Sequence, residues 1–179
     1  MRLANSRTRT SRFSAILATA LVTTTAAVGV AGPASAEDRC GEYYENSGIR
    51  NTRFLHPSSS REGKAILKAA EGDSCGGSDF VVHDRGTLNG HKVVQIQQKR
   101  GAHRCLDEHA ASAGGDAWFH DCNDGDYQKW EVFHTHGEIA FKSLGAWTKK
   151  SKHLCLAGAG THDVVMKTCN VDSAYQRWV

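Results

Sequence analysis

Three short segments alternate apolar and polar side chains with a period of two. Ala65 and Leu67, Ala117 and Phe119, and Val164 and Met166 fall on one face, and Lys68, His120 and Lys167 fall on the other. This alternation predicts half-buried strands. Clusters of Gly, Asp, Asn and Ser at 72–74, 114–116, 123–125 and 158–161 supply turns between them. No stretch has helical periodicity long enough to anchor an all-α reading, and only residues 64–70 have the propensity for a short helix. The chain is therefore expected to be all-β.

The strands sit inside a longer repeat. Arg104-Cys105-Leu106 leads through Cys122 to Gln128-Lys129-Trp130, and Leu154-Cys155-Leu156 leads through Cys169 to Gln176-Arg177-Trp178. A worn copy precedes them, in which Arg53-Phe54-Leu55 stands for the Cys-Leu word, Ser78-Asp79-Phe80 for Gln-x-Trp, and Val81-Val82 for Glu131-Val132. From Phe54, Cys105 and Cys155 to the closing aromatics Phe80, Trp130 and Trp178 the offsets are 26, 25 and 23. Self-similarity at about 50 residues divides the chain into repeats at about 46–87, 88–134 and 135–179.

The first 36 residues read differently. Arg2, Arg7, Arg9 and Arg12 precede a stretch of small and apolar residues at 15–32 and then Pro33-Ala34-Ser35-Ala36. This is the pattern of a secretory signal peptide cleaved after Ala36; as a membrane anchor the stretch is too weakly apolar. The expected location is thus extracellular, and residues 37–45 form an N-terminal segment ahead of the repeats. Removing the signal changes the electrostatics. The whole chain has 22 Lys and Arg against 19 Asp and Glu, and the mature part has 18 against 19. A nearly neutral protein has no general field for polyanions, which argues against nucleic acid as a partner. Lys149, Lys150 and Lys152 then read as a solvated loop.

The mature chain of 143 residues has room for one core. All six cysteines lie in it, and an even number in an exported chain indicates three disulfides. The absence of Cys-x-x-Cys excludes a zinc ribbon or a thioredoxin-like centre.

Two copies of Cys-Leu, a cysteine 14 or 17 residues later and the tryptophan of Gln-x-Trp eight or nine residues further on resemble the ricin-type lectin repeat over about residues 46–179. The resemblance implies a disulfide-stabilised β-trefoil. It places Phe80, Trp130 and Trp178 together in a shared core and gives Gln128 and Gln176 bonds to local backbone. In that register Cys105 pairs with Cys122 and Cys155 with Cys169, each closing a loop worth about 3 kcal/mol. Phe54 and Ala70 occupy the matching places of repeat one and cannot bridge, which leaves Cys40 with Cys75, one of fifteen formal connectivities overall.

Sugar recognition needs a flat group over the apolar face of the ring and a carboxylate or amide for adjacent hydroxyls. Repeat two offers both. Asp107 stands where the family carries its sugar-bonding Asp, and His120 where it places a stacking aromatic. Trp118 shares the outward face of His120, so the indole is expected to be exposed. Tyr127 closes the rim where the family often has Asn, and Gln128 beside it completes the expected carbohydrate-binding set. The plain structural alternative makes Asp107 a turn cap, His120 a surface residue and Trp118 a loop cover. Repeats one and three have His56 and Ala157 for Asp107 and Lys68 and Lys167 for His120, and so are read as having lost the site.

Other chemistry is less well supported. Gly72-Asp73-Ser74-Cys75-Gly76-Gly77 has a superficial likeness to a serine-protease nucleophile loop, but no matching His segment exists and the chain is too short for a double barrel. His134-Thr135-His136 puts two imidazoles on one strand face without a third ligand at a recognisable spacing, and the acidic turn Asp121, Asn123, Asp124 and Asp126 fails the calcium-loop pattern. The sequence therefore indicates a secreted, non-catalytic carbohydrate-binding protein with one sugar site, no cofactor and no membrane span. The rival reading is a protein-binding trefoil, an adaptor or inhibitor that has lost its sugar sites.

Overall fold

Among the residues described by the computed structural model, 42–50, 53–59, 63–69, 79–109 and 111–179, strands dominate. The expected signal peptide, the Cys40 and Cys75 pair and the nucleophile-like turn at 72–77 lie outside them. In chain order the strands are β1 (Arg53–Pro57), β2 (Ala65–Ala69), β3 (Phe80–Leu88), β4 (His91–Gln98), β5 (Cys105–Asp107), β6 (Trp118–His120), β7 (Trp130–Thr135), β8 (Glu138–Ser143), β9 (Leu154–Ala159) and β10 (Asp163–Thr168). All pairings are antiparallel and join them into one sheet, ordered β1-β2-β10-β9-β8-β7-β4-β5-β6 with β3 on β4. It curls into a nearly closed barrel, a β-trefoil.

Two hairpins connect successive repeats. Leu88 pairs with His91 across Asn89-Gly90, and Thr135 pairs with Glu138 across His136-Gly137. All four turn residues have positive φ, the combination that lets a two-residue loop follow the right-handed twist of its strands. His136 thus belongs to the turn and not to the strand of His134, so the expected imidazole pair is not formed; its Nε2 lies 3.1 Å from Asp172. Among the described residues no group of three His, Cys, Asp or Glu side chains could hold a metal ion.

The period-two faces sort as their pattern requires. Ala65, Leu67, Ala117, Phe119, Val164 and Met166 are wholly buried, and the lysine or histidine that follows each pair points outward. Phe80, Trp130 and Trp178 join the same core cluster. Trp130 Nε1 donates to the Leu106 carbonyl at 3.1 Å and Trp178 Nε1 to that of Leu156 at 3.3 Å, one bond repeated in two lobes. Phe80 has no N–H and instead stacks on Phe119, ring centroids 5.6 Å apart. Around the barrel axis Lys64 reaches Asp116 at 2.8 Å and Asp163 at 3.2 Å, so one ammonium touches all three repeats.

Two local elements differ from expectation. Of the stretch 64–70, the described residues 64–69 do not form a helix, because pairing with β1 and burial of Ala65 and Leu67 outweigh a weak propensity. Conversely α1 (Leu144–Lys150) is a helix, with Ser143 accepting from the Ala146 N–H at 3.1 Å and Ser151 in the left-handed conformation at its end. Lys149 and Lys150 occupy its last turn, where a cation suits the helix dipole, and Lys152 donates to the Ala111 carbonyl at 2.9 Å. All three are solvent-exposed as expected, and Lys152 lies in a loop, but Lys149 and Lys150 stand on a helix. No helix of the described residues is long and apolar enough to cross a membrane.

Cys105 is bonded to Cys122 and Cys155 to Cys169, the pairs implied by the repeat register. The N-terminal segment closes the third repeat. Glu45 and Val179 exchange backbone hydrogen bonds at 3.0 and 2.9 Å, and Asn46 Nδ2 donates to the Tyr175 carbonyl at 2.9 Å.

Candidate functional site

The β5–β6 hairpin carries the residues singled out in repeat two. Its register sets Cys105 opposite His120, Leu106 opposite Phe119 and Asp107 opposite Trp118. The buried pair Leu106 and Phe119 fixes the inner face, so Asp107, Trp118 and His120 share the other with Cys105. Trp118 is partly buried and not freely exposed as parity alone suggested. It lies nearly parallel to His120, with centroids 6.1 Å apart and planes 17° apart.

His109 joins them, 5.1 Å from His120 and 6.0 Å from Trp118. It was not anticipated. The signal available was the run Asp107-Glu108-His109 directly after Cys-Leu, where a tight turn could swing the third residue back over the hairpin. The turn is built by Asp107 itself, whose Oδ1 accepts the His109 N–H at 2.6 Å while His109 takes a φ of 50°. The other carboxylate oxygen makes no hydrogen bond among the described residues. Asp107 is thus both the turn cap of the structural alternative and a remaining acceptor, though only 9% of it is exposed.

Gln128 must be removed from the ligand-contacting set. It is wholly buried, its Oε1 accepts from Asn123 N at 2.8 Å and Gln95 Nε2 at 3.1 Å, and its Nε2 donates to the Asp121 carbonyl at 3.0 Å. Gln176 repeats the pattern with Asn170 N and the Thr168 carbonyl. Both glutamines fasten the end of a hairpin to the turn before the tryptophan, which is the local bonding that the family resemblance implied.

Tyr127 is partly buried at the rim, and its carbonyl accepts the Glu108 N–H at 3.1 Å. Its ring rests on α1 so closely that a Cβ on Gly145 would come 2.2 Å from Tyr127 Cδ1. Behind Asp107 lies Glu108, wholly buried, which accepts from Ser143 Oγ at 2.8 Å. Burial pushes its carboxyl above the ordinary range, and the charge of Asp107 adds to this. The Ser143 hydroxyl, the Ala111 N–H and Lys152 offset part of the shift.

The matching face of repeat three is built differently. There a cleft of about 1100 Å³ lies between the turn at 46–50 and the β9–β10 hairpin, with Ala157 and Lys167 in the places of Asp107 and His120. Tyr175, the counterpart of Tyr127, has no helix over it and is 52% exposed. Volume and polar chemistry therefore part company: the cleft lies in one lobe and the carboxylate with its aromatic neighbours in another. For binding a neutral sugar the chemistry of repeat two is the better guide, because its hairpin joins a carboxylate acceptor to a stacking plane, and the cleft of repeat three has no carboxylate among its lining residues.

Residues 92–179 match the family model of the ricin-type beta-trefoil lectin domain. Among solved structures, a lectin of Polyporus squamosus bound to a human-type influenza-binding epitope aligns with a TM-score of 0.61 and 19% identity, over 78% of this chain and 48% of its own. The chain thus spans about half the length of that lectin. The designed three-fold symmetric protein ThreeFoil aligns with a TM-score of 0.57 and 16% identity, over 76% of this chain and 95% of its own. An endo-β-galactosidase from Clostridium perfringens aligns at 0.57 and 8% identity, over 76% of this chain and 31% of its own. At these identities the structures establish the fold. No curated protein is significantly similar in sequence. With the repeated Gln-x-Trp, the two disulfides in register and the trefoil barrel, the match places residues 92–179 in the ricin-type β-trefoil lectin domain family.

Proposed function

We propose that the protein is a secreted, non-catalytic carbohydrate-binding protein whose sugar site is the outer face of the β5–β6 hairpin. The carrying observation is the cross-strand pairing of Asp107 with Trp118, with His120 two residues along and His109 folded back beside both. An anionic acceptor and a run of aromatic rings on one rigid hairpin supply both halves of sugar recognition. Asp107 accepts hydroxyl hydrogen bonds, Trp118 and His120 cover the apolar face of the ring, and Tyr127 closes the rim. Export is supported by the Arg-rich start, the apolar stretch and Ala34-Ser35-Ala36, together with two disulfides among the described residues.

Retention of the mature protein on a glycan array, compared with Asp107→Ala, tests the site. Retention should be lost in the variant, with a stability loss of about 1 kcal/mol from the missing hydrogen bond to His109. Unchanged retention removes Asp107 from the site. A wild-type protein that binds no glycan but captures a secreted protein in a pull-down supports the protein-binding trefoil instead.

A further inference from the structure

The single α-helix among the described residues, α1, gathers cations and an open tryptophan on one part of the surface. Lys149, Lys150 and Lys152 are exposed. The carboxylates these lysines and their neighbours meet are already engaged. Asp126 takes Lys129 at 3.4 Å, Lys149 at 3.6 Å and the Thr148 hydroxyl at 3.0 Å, and the buried Glu131 takes Lys142 at 3.0 Å. Glu108, whose charge acts on Lys152, is buried against Ser143. Lys150 has no ion pair among the described residues. In a mature chain with 18 basic against 19 acidic residues this is a local excess of positive charge.

Trp147 is 38% exposed, whereas Trp130 and Trp178 are wholly buried. It stands three residues before Lys150 and so on the same side of the helix. Its ring lies 4.5 Å from that of His153, and the Lys142 ammonium is 5.4 Å from its centroid. The indole is thereby held in the surface and does not project from it. One open apolar side chain on seven residues gives a lipid surface little area to bury, whereas a sugar ring can lie against a held indole without penetration. The patch also adjoins repeat two. Lys152 reaches the Ala111 carbonyl just past the Asp107 turn, and Gly145 packs on Tyr127.

We infer that the surface of α1 binds an acidic polysaccharide, with Lys149, Lys150 and Lys152 meeting its anionic groups and Trp147 lying against a ring. The class of partner rests on the carbohydrate reading proposed above, but the contacts do not involve Asp107. Ammonium groups act as point charges without fixed geometry, which suits a polymer whose acidic groups recur along its length, and a neutral chain offers them no counter-charge.

The test is a calorimetric titration of the mature protein with dextran sulfate and, separately, with uncharged dextran of the same length. Dextran sulfate should bind more tightly than dextran, and its affinity should fall as salt is raised. Lys150→Gln should weaken dextran sulfate about threefold, and the double variant Lys149→Gln with Lys150→Gln about tenfold, at unchanged melting temperature. Lys92→Gln, at a lysine of β4 that lies 3.5 Å from Asp84, should leave the affinity unchanged. The double variant should keep the array retention of neutral glycans that Asp107→Ala removes, so a failure here and a failure of the repeat-two site are read separately. Should the double variant fold poorly, Lys150→Gln, which breaks no ion pair, and the salt dependence of the wild type decide the matter. Equal affinity for the two dextrans, the same loss with Lys92→Gln as with Lys150→Gln, or binding of phosphatidylglycerol vesicles and not of dextran sulfate would overturn the inference.

Discussion

Asp107, Gln128 and Glu108 lie within one small region, yet their surroundings give them three different tasks. Asp107 spends one oxygen on the turn and keeps the other. Gln128 spends its whole amide on Asn123, Gln95 and Asp121. Gln128→Ala should therefore cost about 3 kcal/mol in a denaturant titration, since it leaves the Asn123 N–H and the Asp121 carbonyl without their partner and opens a cavity. Glu108 is a carboxyl held above its ordinary range chiefly by burial. A carboxyl with a raised folded pKa contributes stability that is fully present below its unfolded pKa and is lost as pH rises through the folded pKa. Wild type should thus lose stability relative to Glu108→Gln as pH climbs out of the ordinary carboxylate range. Denaturation midpoints at successive pH values read this directly, and two parallel curves would show that folding leaves the titration of Glu108 unchanged.

At the scale of elements, α1 and the β5–β6 hairpin meet through Tyr127. Ser143 links them twice, capping α1 through Ala146 and donating to Glu108. Gly145 sits where a methyl group would strike the Tyr127 ring. Alanine in a helix is favoured over glycine by about 1 kcal/mol, but forcing the ring aside costs about 1–3 kcal/mol. Gly145→Ala is therefore expected to lower stability and to weaken sugar retention together by displacing the rim, measured by melting and array binding. The elements themselves were unequally legible. Period-two strands and the Gln-x-Trp words were plain, because burial on one face leaves a pattern in the chain. The seven residues of α1 are too few for a helical period and depend on Ser143 and the Tyr127 contact, neither of which shows locally.

The whole molecule is closed by groups distant in sequence. Lys64 ties the three repeats through Asp116 and Asp163, and although burial disfavours its charge, those two carboxylates outweigh it and hold the ammonium above its usual range. The carboxylates are 37% and 45% exposed, so screening moderates the pair, and Lys64→Ala should cost about 1–2 kcal/mol in chemical denaturation. What the sequence determined by itself was the repeat: spaced cysteines, closing aromatics and alternating strands mark three copies of one unit, since each property acts through neighbours along the chain, and the likeness of that unit to the ricin-type repeat implied the barrel. What only the tertiary structure decided was which lobe can do what. His109 swings onto Trp118, α1 covers one rim and leaves Tyr175 open, and Arg50 arrives at the third lobe on the N-terminal turn. A site's charge and shape are sums over side chains that meet across the fold, and no local pattern records those meetings.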